Sequence, residues 1–311
     1  MIILHTSGGR TGNQVLLLSN LIATALEHNL SFINVSFKSC SKFDIVHNSA
    51  MRNFYSRIIV SILWRLYFFK LCHPLLRLFG ILFHTNTSSQ PDSVSHFLIN
   101  ESKGKVIILN AWPYTDYSAL YKHQHTVRQL LCPQKNIVAR AREIINGILP
   151  DGCIAVGVHI RRTDYREWHN GKYFYEIDTY RSWMQRVSLI SETPVYFVIC
   201  SDEKFQKDEF AGIGAGTYIS DNDYMVDLTL LAACDYIIGP PSTFASYASF
   251  WGQTPRYTIY QQSPELHSLE DFGISLIDYD DTYEKYEGDK LVSRMHIILK
   301  EGEIEKIKYI S

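Results

Sequence analysis

The run Cys153–Ile160 is an almost uninterrupted apolar segment of strand length that ends in Arg161-Arg162-Thr-Asp164-Tyr165. A strand with no polar face is stable only when both faces are covered, which is the situation of a parallel strand inside an α/β layer structure. The chain after it keeps that pattern. A helical segment at 176–190, an apolar strand at Val195–Cys200, a helix at 225–234, a strand at Asp235–Ile238 and a helix over Ser242–Phe250 follow in turn. Strands alternating with helices predict parallel strands with covered faces. The first half repeats the theme. Ile2–His5 reads as a buried strand, 13–28 as a helix with Val15, Leu18, Leu21, Ile22, Ala25 and Leu26 at helical spacing, and Phe32–Val35 and Val106–Leu109 as further strands. The 311 residues suffice for two domains of about 100–200 residues each. Leu149-Pro-Asp-Gly152 is the expected boundary, giving domains 1–150 and 151–311.

Charge excludes one class of function early. Thirty Lys+Arg against 32 Asp+Glu leave a formal net charge of −2, without the basic footprint that a nucleic-acid-binding chain needs. The six cysteines are never closer than 21 residues, which excludes CxxC zinc or redox pairs and reads as reduced thiols in a cytoplasmic protein. The N-terminus has neither the basic nor the long apolar region of a signal peptide, so the sequons at Asn34, Asn86 and Asn100 read as chance.

Residues 54–84 are rich in Ile, Leu, Phe and Trp yet carry Arg57, Arg65, Lys70 and Arg77. The charges interrupt any run of the 18 or more residues a membrane span requires. Two readings stand: amphipathic helices packed on the first domain, or a basic amphipathic surface in peripheral contact with the inner face of a membrane.

Three clusters carry chemistry. Gly157-Val-His159-Ile-Arg161-Arg162-Thr-Asp164-Tyr165 lies at the carboxyl end of a predicted parallel strand, where ligand-binding groups collect, and guanidinium suits bidentate recognition of phosphate. Pairing of the two arginines with Asp164 and other local carboxylates is the alternative. The loop Gly8-Gly9-Arg10-Thr11-Gly12-Asn13 opens the first helix, where glycines let backbone amides approach an anion, or it is a plain turn. In Asp227 to Thr243, a helix and a strand lead to a second helix start, with Ser242 or Thr243 as a cap or a phosphate ligand. Asp227 is either a surface acid complementing a helix dipole or a carboxylate accepting two N–H donors from a base.

In this order and spacing the blocks Gly-Gly-Arg-Thr-Gly-Asn13-Gln14, His159-Ile-Arg161-Arg162-Thr-Asp164-Tyr165 and Asp227-Leu to Cys-Asp235-Tyr-Ile-Ile and Ser242-Thr243-Phe resemble those of the GDP-fucose-dependent α-1,2-, α-1,6- and protein O-fucosyltransferase superfamily. The resemblance implies a GT-B fold, with two Rossmann-like domains facing across a cleft: the acceptor side at 1–150 and the nucleotide-sugar side at 151–311. It implies an inverting, metal-independent transfer of fucose from GDP-fucose, a co-substrate rather than a cofactor, to a glycan hydroxyl, with an α-1,2 bond to a galactoside as the expected linkage. Carried over by position, Arg161 grips the β-phosphate and stabilises the leaving GDP. His159 and Asp227 contact guanine, Ser242 and Thr243 the phosphates, and Gly12 with Asn13 the diphosphate from the other domain. Arg162 and Asp164 order the loop, although Asp164 is also a candidate base beside Glu167, His169 and Asp116. The first loop has one residue more than the Gly-Gly-Leu-Gly-Asn-Gln block of α-1,2 enzymes, and Thr163 stands where they have glycine.

The loop from Tyr165 to Phe174 mixes aromatic and polar groups, which suits a sugar acceptor through Glu167, Trp168, His169 and Tyr173, or makes a surface hairpin with half-buried aromatics. Asp221-Asn-Asp223 is a rival metal motif of the Asp-x-Asp kind; the expected metal count is nonetheless none, because the arginines already supply the positive charge. Another nucleotide-sugar donor, or a non-catalytic nucleotide- or glycan-binding module, is the alternative function on the same fold.

Overall fold

The computed structural model describes residues 2–4, 9–34, 42–43, 58–59, 62–63, 65–66, 73–86, 98, 100–101, 104–111, 114–275, 284–287, 290–294 and 298–299. The chain forms two compact units, Met1–Cys132 and Pro133–Ser311. The division lies upstream of the Leu149-Pro-Asp-Gly152 turn, because the helix at 135–148 packs on a helix of the second unit.

The first unit holds a four-stranded parallel sheet in the order β2-β1-β4-β3, built from β1 (Ile2–Leu4), β2 (Phe32–Asn34), β3 (Ile81–Asn86) and β4 (Val106–Ala111). Helix α1 (Thr11–Glu27) joins β1 to β2 and is buried from Val15 through Ala25. Its polar core residues bond within the helix and to the segment leading into α3 (Tyr117–Leu130), since a buried polar group must find a partner. Asn20 Oδ1 accepts from the Asp116 backbone N–H at 2.7 Å, and the Thr24 hydroxyl lies 2.8 Å from Asp116 and 2.6 Å from the Tyr114 hydroxyl. Asp116 in turn caps α3 by accepting from the Ala119 N–H. Asp116, a candidate base, is thus committed as a cap.

The helical expectation for 54–84 is corrected at its end. Helix α2 (His73–Leu78) stops at Gly80, whose φ of +68° turns the chain into β3. Ile81, Leu82 and Phe83 then pair along β4, because an apolar run after a left-handed glycine fits a sheet better than a continued helix. The loop residues Ser7 and Gly8, and most of 54–72, lie outside the described residues.

The second unit opens with α4 (Lys135–Ile148) and centres on a five-stranded parallel sheet in the order β7-β6-β5-β8-β9. The strands are β5 (Ile154–Ile160), β6 (Val195–Ser201), β7 (Gly216–Ile219), β8 (Tyr236–Gly239) and β9 (Arg256–Thr258). Alternation along β5 sets its two faces. Val156, Val158 and Ile160 enter the core with Tyr180, Trp183, Met184 and Val187 of α5 (Ile177–Ile190). Gly157 and His159 point to the opposite face, where Gly157 lies against Leu231 and Cys234 of the segment containing α6 (Tyr224–Ala233). Both faces of β5 are covered, as its unbroken apolar sequence requires. Short strands β10 (Ile274–Ser275) and β13 (Ile298–Leu299) pair antiparallel, as do β11 (Glu284–Glu287) and β12 (Lys290–Arg294).

The order β7-β6-β5-β8-β9 places the first strand of the unit in the middle. The chain proceeds to β6 and β7 on one side and then to β8 and β9 on the other, so the connections leaving β5 and β8 part in opposite directions. Such a switch point opens a crevice at the carboxyl ends of the strands. Gly239 closes the sheet beneath it: a Cβ there would sit 2.6 Å from the His159 carbonyl oxygen and 2.9 Å from its Cβ. Gly239→Ala is therefore expected to cost about 1–3 kcal/mol in denaturant unfolding, the range of core overpacking; an unchanged midpoint would mean that β5 and β8 are not held this tightly.

Candidate functional site

The residues singled out in the second unit meet at the carboxyl edge of its sheet. His159 is the penultimate residue of β5 and is buried against α7 (Thr243–Gly252), stacked on Phe244 with ring centroids 5.3 Å apart. Its Nε2 lies 3.1 Å from the hydroxyl of Ser242, so one side-chain pair spans the switch point between β5 and β8. Ser242 is also the N-cap of α7, its oxygen accepting from the Phe244 N–H at 3.3 Å. The cap and ligand roles left open by the sequence are compatible, since the residue sits where both would be exercised. Thr243, half-buried, is the first residue of that helix. Burial, reinforced by the Arg161 charge, brings the His159 pKa down to about 3, so its imidazole is neutral at physiological pH.

Arg161 and Arg162 diverge. Arg161 directs Nε and Nη2 to the two carboxylate oxygens of Asp164 at 2.8 and 2.7 Å, with Asp202 at 3.5 Å. Burial works against its charge, and the contacts with Asp164, Tyr165 and Asp202 outweigh this and raise its pKa. Arg162 turns inward, bonds the Tyr175 carbonyl and Glu176, approaches Glu203 at 3.0 Å and lies over the Phe174 ring. Both arginines are thus paired with local carboxylates; Arg161 does this at the crevice and Arg162 inside the loop.

The loop after β5 is held by Asp202, at the end of β6, which the sequence reading did not single out. Asp202 Oδ1 accepts from the Arg162 N–H at 2.9 Å and Oδ2 from the Thr163 hydroxyl at 2.5 Å. The Tyr165 hydroxyl completes the anchor by donating to the Pro241 carbonyl next to Ser242. The same signal that singled out Arg161, a polar group directly after an apolar parallel strand, applies to Asp202 after β6 and to Ser220 after β7.

Asp227 lies in the first turn of α6 but is buried rather than a surface acid. It accepts from the Ser220 hydroxyl at 2.5 Å. Burial raises its pKa to about 6, opposed by the Ser220 bond and aided by Asp223 and Asp221. Asp223, half of the rival Asp-x-Asp motif, caps α6 by accepting from the Met225 N–H. Among the described residues no cluster of three or more His, Cys, Asp or Glu side chains is placed to hold a metal ion. Cys200 and Cys234 are buried thiols whose pKa values burial pushes up, so both stay protonated.

The acceptor candidates separate by exposure. Glu167 and His169 are exposed and Trp168 is half-buried beneath Tyr165, at a ring-centroid distance of 4.5 Å. Tyr173 is a correction: at 1% exposure it belongs to the core, edge-on to Tyr260, because its ring fills the space under the loop. The segment is not a hairpin but two short 3₁₀ turns, with His169 and Asn170 in left-handed conformation ahead of Gly171. Gly12 and Asn13 lie in the first unit, at the first turn of α1. There Gly9 has φ +82° and the N-cap Arg10 makes no side-chain cap bond, so the cap itself leaves the first-turn amides to other partners.

No protein-family description matches the sequence, and no curated protein matches it. Solved structures do match in fold. POFUT1 in complex with GDP-fucose aligns with a TM-score of 0.55 at 14% identity, over 83% of this chain and 98% of that one. The NodZ α-1,6-fucosyltransferase soaked with GDP-fucose gives 0.54 at 12% identity, over 85% and 97%. A variant of Arabidopsis thaliana FUT1 in complex with GDP gives 0.51 at 12% identity, over 89% and 75%. The chain has their GT-B fold. The parallel α/β sheets of both units agree with the expected class.

Two buried groups at this site oppose each other in pH dependence. The folded chain keeps the Asp227 proton that the unfolded chain releases above its ordinary value of 3.8, so Asp227 makes stability fall as pH rises toward about 6. His159, with a pKa lowered from 6.5 to about 3, makes stability rise over the same window. Thermal melts from pH 4 to 6 should therefore rise more steeply with pH for Asp227→Asn than for the unsubstituted protein, by about 3 kcal/mol across the window. His159→Gln should show the opposite change. Parallel profiles for all three proteins would contradict these burial assignments.

Proposed function

We propose that the chain is a glycosyltransferase that moves fucose from GDP-fucose to a hydroxyl of a glycan, with inversion at the anomeric carbon, without a metal, and with an α-1,2 bond to a galactoside as the linkage. The observation that carries this reading is the placement of Arg161 beside the His159–Ser242 pair, at the carboxyl end of the central strand and at the switch point of the sheet. The matching folds of POFUT1 and NodZ, solved with GDP-fucose, support it.

In the reaction, an acceptor hydroxyl oxygen forms a bond to the anomeric carbon of fucose. The bond from that carbon to the β-phosphate oxygen breaks, its electron pair leaving with GDP. Positive charge grows on the sugar ring and negative charge on the diphosphate, so the largest gain comes from a fixed cation at the departing oxygen. Arg161 fills that role: Asp202 steadies its side chain, and Asp164 yields its place to the diphosphate. The start of α7, with Ser242 and Thr243, offers N–H and hydroxyl donors to the phosphates. Neutral His159 and the Asp227 carboxylate meet the base, and Asp227 accepts from guanine N–H groups best above its pKa of about 6. In the first unit, the start of α1 with Gly12 and Asn13 is a second helix terminus suited to an anion. Glu167, Trp168 and His169 belong to the acceptor side, where a carboxylate or imidazole takes the acceptor proton.

Calorimetric titration with GDP, UDP, ADP and CMP in EDTA tests the reading. Selective GDP binding is expected, weakened by about 100-fold or more in a folded Arg161→Ala protein. Undiminished GDP affinity in that variant, a preference for UDP, or binding that appears only with added Mn²⁺ would overturn it. Product analysis after incubation with GDP-fucose and galactosides then tests the linkage.

A further inference from the structure

Among the described residues ten large apolar side chains are exposed, and seven of them fall between Ile58 and Phe79. They occupy the outer faces of helical segments whose inner faces are already used. Leu63 packs on the Ile3–Ile108 cluster of the first sheet, while Ile59, Ile62 and Leu66, at helical spacing, stay exposed. In α2, Leu76 is buried, whereas Leu75, Leu78 and, in the turn just after the helix, Phe79 are open, the last two at 80% and 71% exposure. An exposed apolar concentration of this kind marks an interaction surface.

The charge on the same stretch is one-sided. From residue 45 to residue 91 the sequence contains no Asp or Glu, in a chain that has 32 of them, and carries Arg52, Arg57, Arg65, Lys70 and Arg77. Arg65 and Arg77 are exposed beside the apolar side chains. Contact with a second copy through this surface would set like charges against each other if it were isologous. Apolar tips flanked by long cationic side chains instead suit an anionic lipid interface, where the tips enter the acyl boundary and the cations stay among the headgroups. No helix of the described residues is long and apolar enough to cross a membrane.

We propose that the face carrying Ile59, Ile62, Leu66, Leu75, Leu78 and Phe79, with Arg65 and Arg77, docks the first unit on an anionic phospholipid bilayer. The inference does not depend on the nucleotide site, and a failure of either leaves the other untouched.

Co-sedimentation of the full chain with phosphatidylglycerol/phosphatidylcholine vesicles, against pure phosphatidylcholine vesicles, tests it. Binding to the anionic vesicles that weakens with added salt is expected. Leu78→Asp/Phe79→Asp and Arg65→Glu/Arg77→Glu should each lower the partition coefficient by about tenfold or more. These side chains are exposed, so circular dichroism and GDP titration should match the unsubstituted protein. Absence of vesicle binding, equal binding to both vesicle types, or undiminished binding by both variants would overturn the proposal. So would a concentration-dependent dimer that Leu78→Asp/Phe79→Asp abolishes in a protein that ignores vesicles, which would assign the face to a second copy.

Discussion

Everything at the candidate site depends on β5 being both the first and the central strand of its sheet. A strand flanked by β6 on one side and β8 on the other must be apolar on both faces, and its continuation must leave the sheet where the neighbouring connections diverge. Polar residues can follow it only if they satisfy one another or face solvent. The segment after Ile160 does both: Arg162 enters the protein against Glu203, Glu176 and the Tyr175 carbonyl, while Arg161 remains at the opening. Asp202, delivered by the adjacent strand, binds the backbone and side chain of this segment and fixes where Arg161 starts.

The sequence made these relations legible to different degrees. Apolar runs and their spacing located β1, α1, β2, β4, β5, α5, β6, α6, β8 and α7 to within a residue or two, because parallel strands and buried helices write hydrophobicity over their whole length. The strand β3 was hidden within a longer Ile-, Leu- and Phe-rich stretch. Only the left-handed turn at Gly80 separates it from α2, and composition does not show that. Helix α3 was missed for another reason. Its sequence Tyr117–Leu130 is largely polar and buries only Ala119, Leu120 and Val127, too few for a clear apolar stripe.

The site shows the same division. That His159, Arg161 and Ser242 lie at one edge of the sheet was legible because each stands at or just beyond the end of an apolar strand. Asp202, which pairs with Arg161, and Ser220, which bonds Asp227, obey the same rule but stand in less conspicuous surroundings. Tyr173 was misjudged because an aromatic residue in a polar loop carries no signal of which way its ring turns. Burial against Tyr260 is a tertiary fact, set by the packing of the loop on the segment that follows β9.

The two carboxylates around Arg161 differ in a way that bears on how an anion would enter. Asp202 is the less exposed and is held by several bonds to the loop, so moving it would break the anchor. Asp164 is 43% exposed and its two oxygens are turned to Arg161. Only the Asp164 side of this bidentate pair is open to water; the Arg161 side chain is largely buried and has Asp202 beside it. A diphosphate, tetrahedral at each phosphorus, also offers pairs of oxygens to a guanidinium, with more negative charge than a carboxylate. In the proposed reading Asp164 turns out to solvent as phosphate takes its place, while Asp202 keeps the guanidinium in position. Of the two carboxylates paired with Arg161, Asp164 is the more exposed, so in the proposed reading its contact is the one an incoming anion replaces.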